Sequence, residues 1–78
     1  MTQIDAELDA TGLLCPLPVL KARKRLQPLR PGAILRVLTD DPAALVDIPH
    51  FCTEQGHICH DDGANGSAHI WRIEKGPR

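Results

Sequence analysis

Between Ile4 and Ala10 the apolar positions fall on every second residue. Ile4, Ala6, Leu8 and Ala10 alternate with Asp5, Glu7 and Asp9. Period two predicts a half-buried strand, and Gly12 ends it. From Pro16 to about Gln27 the period lengthens. Val19, Ala22 and Leu26 fall at helical spacing with Leu20 beside them, and basic residues fill much of the rest. Pro28, Pro31 and Gly32 stop that helix. Ile34 to Thr39 predicts a second strand with Leu35 and Val37 inward. In "DDPAALVDIPHF" two prolines each suit a first helical turn and harm a later one. A short turn after Pro42 follows, then a helix from near Asp47 to a C-terminal cap at Gly56. His57 to Asp61 and Ala68 to Glu74 predict two more strands joined by the loop "DGANG", with His69, Trp71 and Ile73 on one side.

The predicted order is β-α-β-α-β-β. The first two strands are followed by helical crossovers and the last two form a hairpin, so the four-stranded sheet is mixed. The alternation leaves one sheet face wet. Both helices then cover the other face, giving an α/β (α+β) two-layer sandwich. With 78 residues, residues 1–78 form a single domain. Aromatic residues are only 3%, so the core is aliphatic, with Phe51 and Trp71 as its only large rings.

Charge narrows the function classes. The net charge of −1 gives no overall attraction to nucleic acid. Lys21, Arg23, Lys24, Arg25 and Arg30 nevertheless cluster, which predicts one basic face. Basic nucleic-acid modules usually add stacking aromatics, and these are absent, so no direct nucleic-acid partner is expected. No apolar run approaches the roughly 20 residues of a membrane span. No signal peptide is visible, and the three cysteines form an odd set. A cytoplasmic, reducing location and free thiols are the expectation.

The chemistry concentrates at "TGLLCPLPVL", Thr11 to Leu20. Pro16 disfavours helical backbone at Cys15 and suits a first helical position, which predicts Cys15 at the N-cap. There the helix dipole favours thiolate. Pro16 and Pro18 lack N–H groups, so the thiolate draws on the Leu17 amide and the dipole but not on a full set of amides. A moderate lowering of the thiol pKa is expected. Cys15 also reads as a small buried hydrophobe, with Leu13 and Leu14 alongside. A turn ahead of a helix is usually near the surface, however, and two prolines are a costly scaffold for packing alone. No second thiol lies two or three residues away, so exchange within the motif is excluded. A lone activated thiolate can attack, be attacked, or hold a passenger such as one sulfur atom.

These residues carry a resemblance. "LDATGLLCPLPVLKARKRL", "VLTDDPAALVDIPHFCTEQGH" and "IWRIEK" together resemble the TusA/SirA-like family of small sulfur carriers over nearly the whole chain. The specific part is Cys15-Pro16-Leu17-Pro18, supported by Gly12. The resemblance implies that Cys15 is the catalytic, persulfide-bearing residue of a sulfurtransferase-type carrier. It implies a sulfur donor, either a cysteine desulfurase or a rhodanese-like protein. It also implies an acceptor protein in tRNA thiolation, molybdenum-cofactor assembly or sulfur oxidation. No cofactor is implied beyond the covalent sulfur. Arg23 matches a basic docking position, and Lys21 beside it suits the same use. Cys59 and His60 stand where the family usually has apolar residues.

Other constellations are weaker. Cys52-x₆-Cys59 and His57-x₂-His60 do not form a familiar zinc spacing, so no metal is expected and Cys52 and Cys59 read as apolar filling. Asp41 and Asp47 read as helix caps, and Asp9 as a brace for the turn leading to Cys15. The alternative function is a non-catalytic protein-binding or regulatory module in which Cys15 is a redox-sensitive thiol.

Overall fold

The structure, a computed structural model, describes residues 3–77. Its elements are β1 (Ala6–Asp9), α1 (Leu17–Leu26), β2 (Ile34–Thr39), α2 (Ala44–Gln55), β3 (Ile58–Asn65) and β4 (Ala68–Glu74). The sheet order is β1-β2-β4-β3, with β1 and β2 parallel and the other two pairings antiparallel. This is the mixed four-stranded sheet and β-α-β-α-β-β order that the alternation predicts.

Register explains the core. Ala6, Leu35, Ile73 and Cys59 form one row across the sheet, and Leu8, Val37, Trp71 and Asp61 form the next. Side chains of a row share a face. Leu8, Leu35, Val37, Trp71 and Ile73 of these rows join one buried cluster with Ala22 and Leu26 of α1 and Ile48, Phe51 and Cys52 of α2. The intervening row, Glu7, Arg36, Arg72 and His60, is on the opposite face. There Arg36 pairs with Glu7 at 2.9 Å, and Arg72 pairs with Asp62 at 2.6 Å. Among the buried residues Trp71 donates its indole N–H to the Thr39 hydroxyl at 3.0 Å, so its polar edge is satisfied.

Three boundaries differ from the sequence reading. Helix α2 begins at Ala44, not near Asp47, and Pro49 lies inside it. Ala44, Ile48, Phe51 and Cys52 are buried at helical spacing, and that packing outweighs the hydrogen bond that Pro49 cannot donate. Strand β3 continues through most of the supposed loop. A bulge between Asp61 and Ala64 absorbs Gly63, whose N–H donates to Asp61 Oδ1 at 2.9 Å, and pairing resumes at Ala64–His69. Strand β1 is shorter than the alternating stretch, spanning Ala6–Asp9.

The far end of α1 is held by Lys75, which is buried. Its ammonium donates to the carbonyls of Leu26 at 2.7 Å, Leu29 at 3.3 Å and Gln27 at 3.4 Å. A cation at a helix C-terminus satisfies carbonyls that the helix leaves without partners. Helix α2 ends as expected at Gly56, whose φ of +76° requires glycine.

Candidate functional site

The segment from Asp9 to Pro16 carries the thiol from β1 to α1. Asp9 Oδ1 accepts both the Thr11 amide, at 3.0 Å, and the Thr11 hydroxyl, at 2.6 Å. Asp9 therefore does brace this turn. Gly12 has φ +81°, a left-handed conformation that favours glycine, and its N–H donates to Asp40 Oδ1 at 2.9 Å. The Cys15 N–H donates to Asp41 Oδ2 at 2.7 Å. Two acidic residues that follow β2 thus hold the loop that follows β1. Parallel pairing of β1 with β2 brings the two C-terminal strand ends side by side, which is why these distant segments meet.

Cys15 is exposed, so the buried-hydrophobe reading is set aside. It is not the N-cap. Pro16 holds that position, Leu17 starts the helix and Pro18 is its buried second residue. The Cys15–Pro16 peptide bond is cis. The Leu17 N–H, expected to serve the sulfur, donates instead to the Leu14 carbonyl at 2.8 Å. The electrostatic expectation is overturned as well. The Cys15 thiol pKa is raised, first by a hydrogen bond to the Asp47 carboxylate, then by desolvation, then by the charges of Asp47 and Asp41. The carboxylates of Asp47 on α2 and Asp41 in the loop before it both oppose ionisation of the thiol.

Asp47 is therefore not a helix start signal. It lies in the first turn of α2 and, with Cys15, lines a groove of about 320 Å³ between the two helices. Arg23, His50, Phe51 and Glu54 line the same groove. His50 and Glu54 are paired at 3.1 Å. Asp41 is not the cap of α2, whose N-cap is Ala43 without a side-chain cap bond. Its Oδ1 instead accepts the Ala43 N–H at 3.2 Å in the turn before the helix, while its Oδ2 holds Cys15. Sequence reasoning named Asp41 and Asp47 but missed that both converge on the cysteine.

The basic residues separate. Arg23 shares the groove with Cys15, whereas Lys21 lies with Lys24 and Arg25 on a different surface of α1. Leu14 and Leu20 are at least half exposed, Leu14 next to Cys15 in the chain and Leu20 on the groove wall. The thiol therefore sits on an apolar rim beside charged groups.

The other two cysteines do not reach this site. Cys52 is buried, and its thiol pKa is pushed up to about 12, mainly by burial. Cys59 is half-buried against the core, at the end of an inward sheet row. Among the described residues no three His, Cys, Asp or Glu side chains gather in a way that could hold a metal ion. No helix among them is long and apolar enough to cross a membrane.

A two-layer α/β sandwich that presents one exposed thiol at the mouth of its first helix defines a small thiol-presenting domain. The comparisons agree with that class. Residues 6–75 match the family model described as sulfurtransferase TusA. The chain is 40% identical over 72 residues to the sulfur carrier protein TusA of Pseudomonas syringae pv. tomato, covering 92% of this chain and 86% of that one. It is 39% identical to the sulfur carrier protein TusA of Pseudomonas aeruginosa, covering 92% and 91%. The crystal structure of a SirA-like protein from Desulfitobacterium hafniense superposes with a TM-score of 0.81 at 25% identity, covering 91% of this chain and 97% of that one. This chain belongs to the TusA family.

Proposed function

We propose that this protein carries sulfane sulfur as a persulfide on Cys15 and relays it between proteins. The observation that carries the reading is an exposed Cys15 in a braced loop, while Cys52 is buried and Cys59 half-buried. In the loading step the Cys15 thiolate attacks the outer sulfur of a donor persulfide. A new S–S bond forms at Cys15, the donor's S–S bond breaks, and the donor thiolate leaves and takes up a proton. In the delivery step a nucleophile on the acceptor takes the terminal sulfur and Cys15 is restored as thiol. The sulfur itself is the cargo, so no further cofactor enters.

The donor is a cysteine desulfurase or a rhodanese-like protein. The acceptor is a protein of tRNA thiolation, molybdenum-cofactor assembly or sulfur oxidation. The relatives named as sulfur carriers support the carrier role itself. Arg23 in the groove and the exposed Leu14 and Leu20 fit protein docking at the thiol, because exposed apolar side chains beside a reactive group favour a partner surface.

Incubation with a cysteine desulfurase and cysteine tests the proposal. Intact mass is expected to rise by one sulfur atom, to fall again with reductant, and not to rise in Cys15→Ser. A wild-type protein that takes up no sulfur from any sulfane donor favours the regulatory-module reading instead.

A further inference from the structure

Beyond β4 the chain fastens three parts of the fold together. The Lys75 N–H donates to the Ala33 carbonyl and the Lys75 carbonyl accepts the Gly32 N–H, each at 2.8 Å. The Lys75 ammonium holds the end of α1. The Gly76 N–H donates to His57 Nδ1 at 2.9 Å, just past the end of α2. Gly76 is buried, and a Cβ there would collide with the Gly56 carbonyl, so the segment lies flat on the cap of α2. The His57 ring is packed in turn on Phe51, with centroids 5.6 Å apart.

Nδ1 can accept the Gly76 N–H only in a neutral imidazole that carries its proton on Nε2. A protonated His57 would turn an N–H toward that amide and leave a buried donor without an acceptor. It would also gain no counter-charge. His57 shares a cavity of about 170 Å³ with Arg23 from α1 and with Lys75, and among the described residues no carboxylate lines it. Burial first, and then the Lys75 charge, hold the His57 pKa below the ordinary histidine value.

We propose that residues 75–77 form a pH-sensitive strap, closed over the ends of both helices while His57 is neutral and unfastened at Gly76 when His57 is protonated. The folded state prefers the neutral ring, so the bond is present above the ordinary histidine range and is lost as pH falls below it. Lys75 stays anchored by its two backbone bonds, which confines the release to Gly76 and Pro77. Arg23, Phe51 and Gln55 line both the cavity under the strap and the groove at Cys15. The strap therefore closes the far end of the thiol groove and loosens it in acid. It stands independently of the carrier reading.

Amide exchange followed by NMR tests the strap, with protection factors for Gly76 and for Val37 of the central strand β2. Between about pH 7.5 and about pH 5 the Gly76 protection factor is expected to fall at least about fivefold, while that of Val37 holds. His57→Asn offers an acceptor oxygen that does not titrate and is expected to keep Gly76 protected at both pH values. His57→Leu removes the acceptor and is expected to leave Gly76 weakly protected at both. A Gly76 protection factor that does not change in the wild type overturns the strap. So does an equal fall at Val37, which would make the change global, or an undiminished fall in His57→Asn, which would assign it to other groups.

Discussion

Asp41 ties Cys15 to the start of α2: one carboxylate oxygen accepts the Cys15 N–H at 2.7 Å and the other accepts the Ala43 N–H at 3.2 Å. The loop bearing the sulfur and the helix opposite it are thereby fixed to each other through one side chain. Asp41→Ala removes both bonds. Stability is expected to fall by about 1–2 kcal/mol, the size of lost hydrogen bonds to a charged acceptor. Hydrogen exchange at the Cys15 amide is expected to accelerate beyond that global change. An amide that exchanges no faster in the variant would show that the tether is not formed in solution.

Lys75 makes a second long-range clasp at the other end of α1. Lys75→Met keeps the apolar stem and deletes the ammonium, leaving the Leu26 carbonyl without that donor. The Leu26 carbonyl keeps the Leu29 N–H as donor, so the expected loss is that of hydrogen bonds to a charged group, about 1.5–3 kcal/mol. Urea unfolding checks it, with a lower midpoint and an unchanged slope.

Cys52 gives the fold a dependence on alkaline pH. Its thiol ionises near 9.0 when unperturbed but is pushed up to about 12 in the folded chain by burial. The folded pKa lies above the unfolded one, so the folded state holds the proton more tightly. The associated stability is fully present below the unfolded pKa and is lost as pH rises through the folded value. Stability is therefore expected to decline between about pH 9 and pH 12. Cys52→Ala is expected to flatten that decline, as read from denaturation midpoints across this range. An equally steep decline in the variant would assign it to other groups.

Arg23 and Lys21 are separable under the relay reading. Arg23 shares the groove with Cys15 and Lys21 does not. Arg23→Ala is expected to slow sulfur loading from a protein donor several-fold, and Lys21→Ala to have a smaller effect. Initial rates of persulfide formation provide the comparison, and equal effects would point to a diffuse basic surface.

The legible parts of the sequence were those governed by short-range periodicity. Strands Ile34–Thr39 and Ala68–Glu74 are short apolar, β-branched runs bounded by turn residues, and they appear with those bounds. Cys15-Pro16-Leu17-Pro18 marked the sulfur's position because prolines constrain their immediate neighbours. The start of α2 was misplaced because the proline rule is local, whereas burial of Ala44, Ile48, Phe51 and Cys52 is a tertiary effect. The site's electrostatics were hidden for a related reason. Nothing in the spacing of Asp41 and Asp47 shows that parallel pairing of β1 and β2 places them at a cysteine 26 and more residues earlier. Helix-dipole reasoning saw only α1, and the opposing charges belong to α2 and the loop before it.

The central claim is that Cys15, and no other thiol, carries the sulfur. Peptide mapping of the protein after loading by a cysteine desulfurase, with persulfides trapped by alkylation, tests it most directly. The account predicts the additional sulfur on the peptide containing Cys15 and unmodified peptides for Cys52 and Cys59. Sulfur on the Cys52 or Cys59 peptide, with Cys15 unmodified, would contradict it.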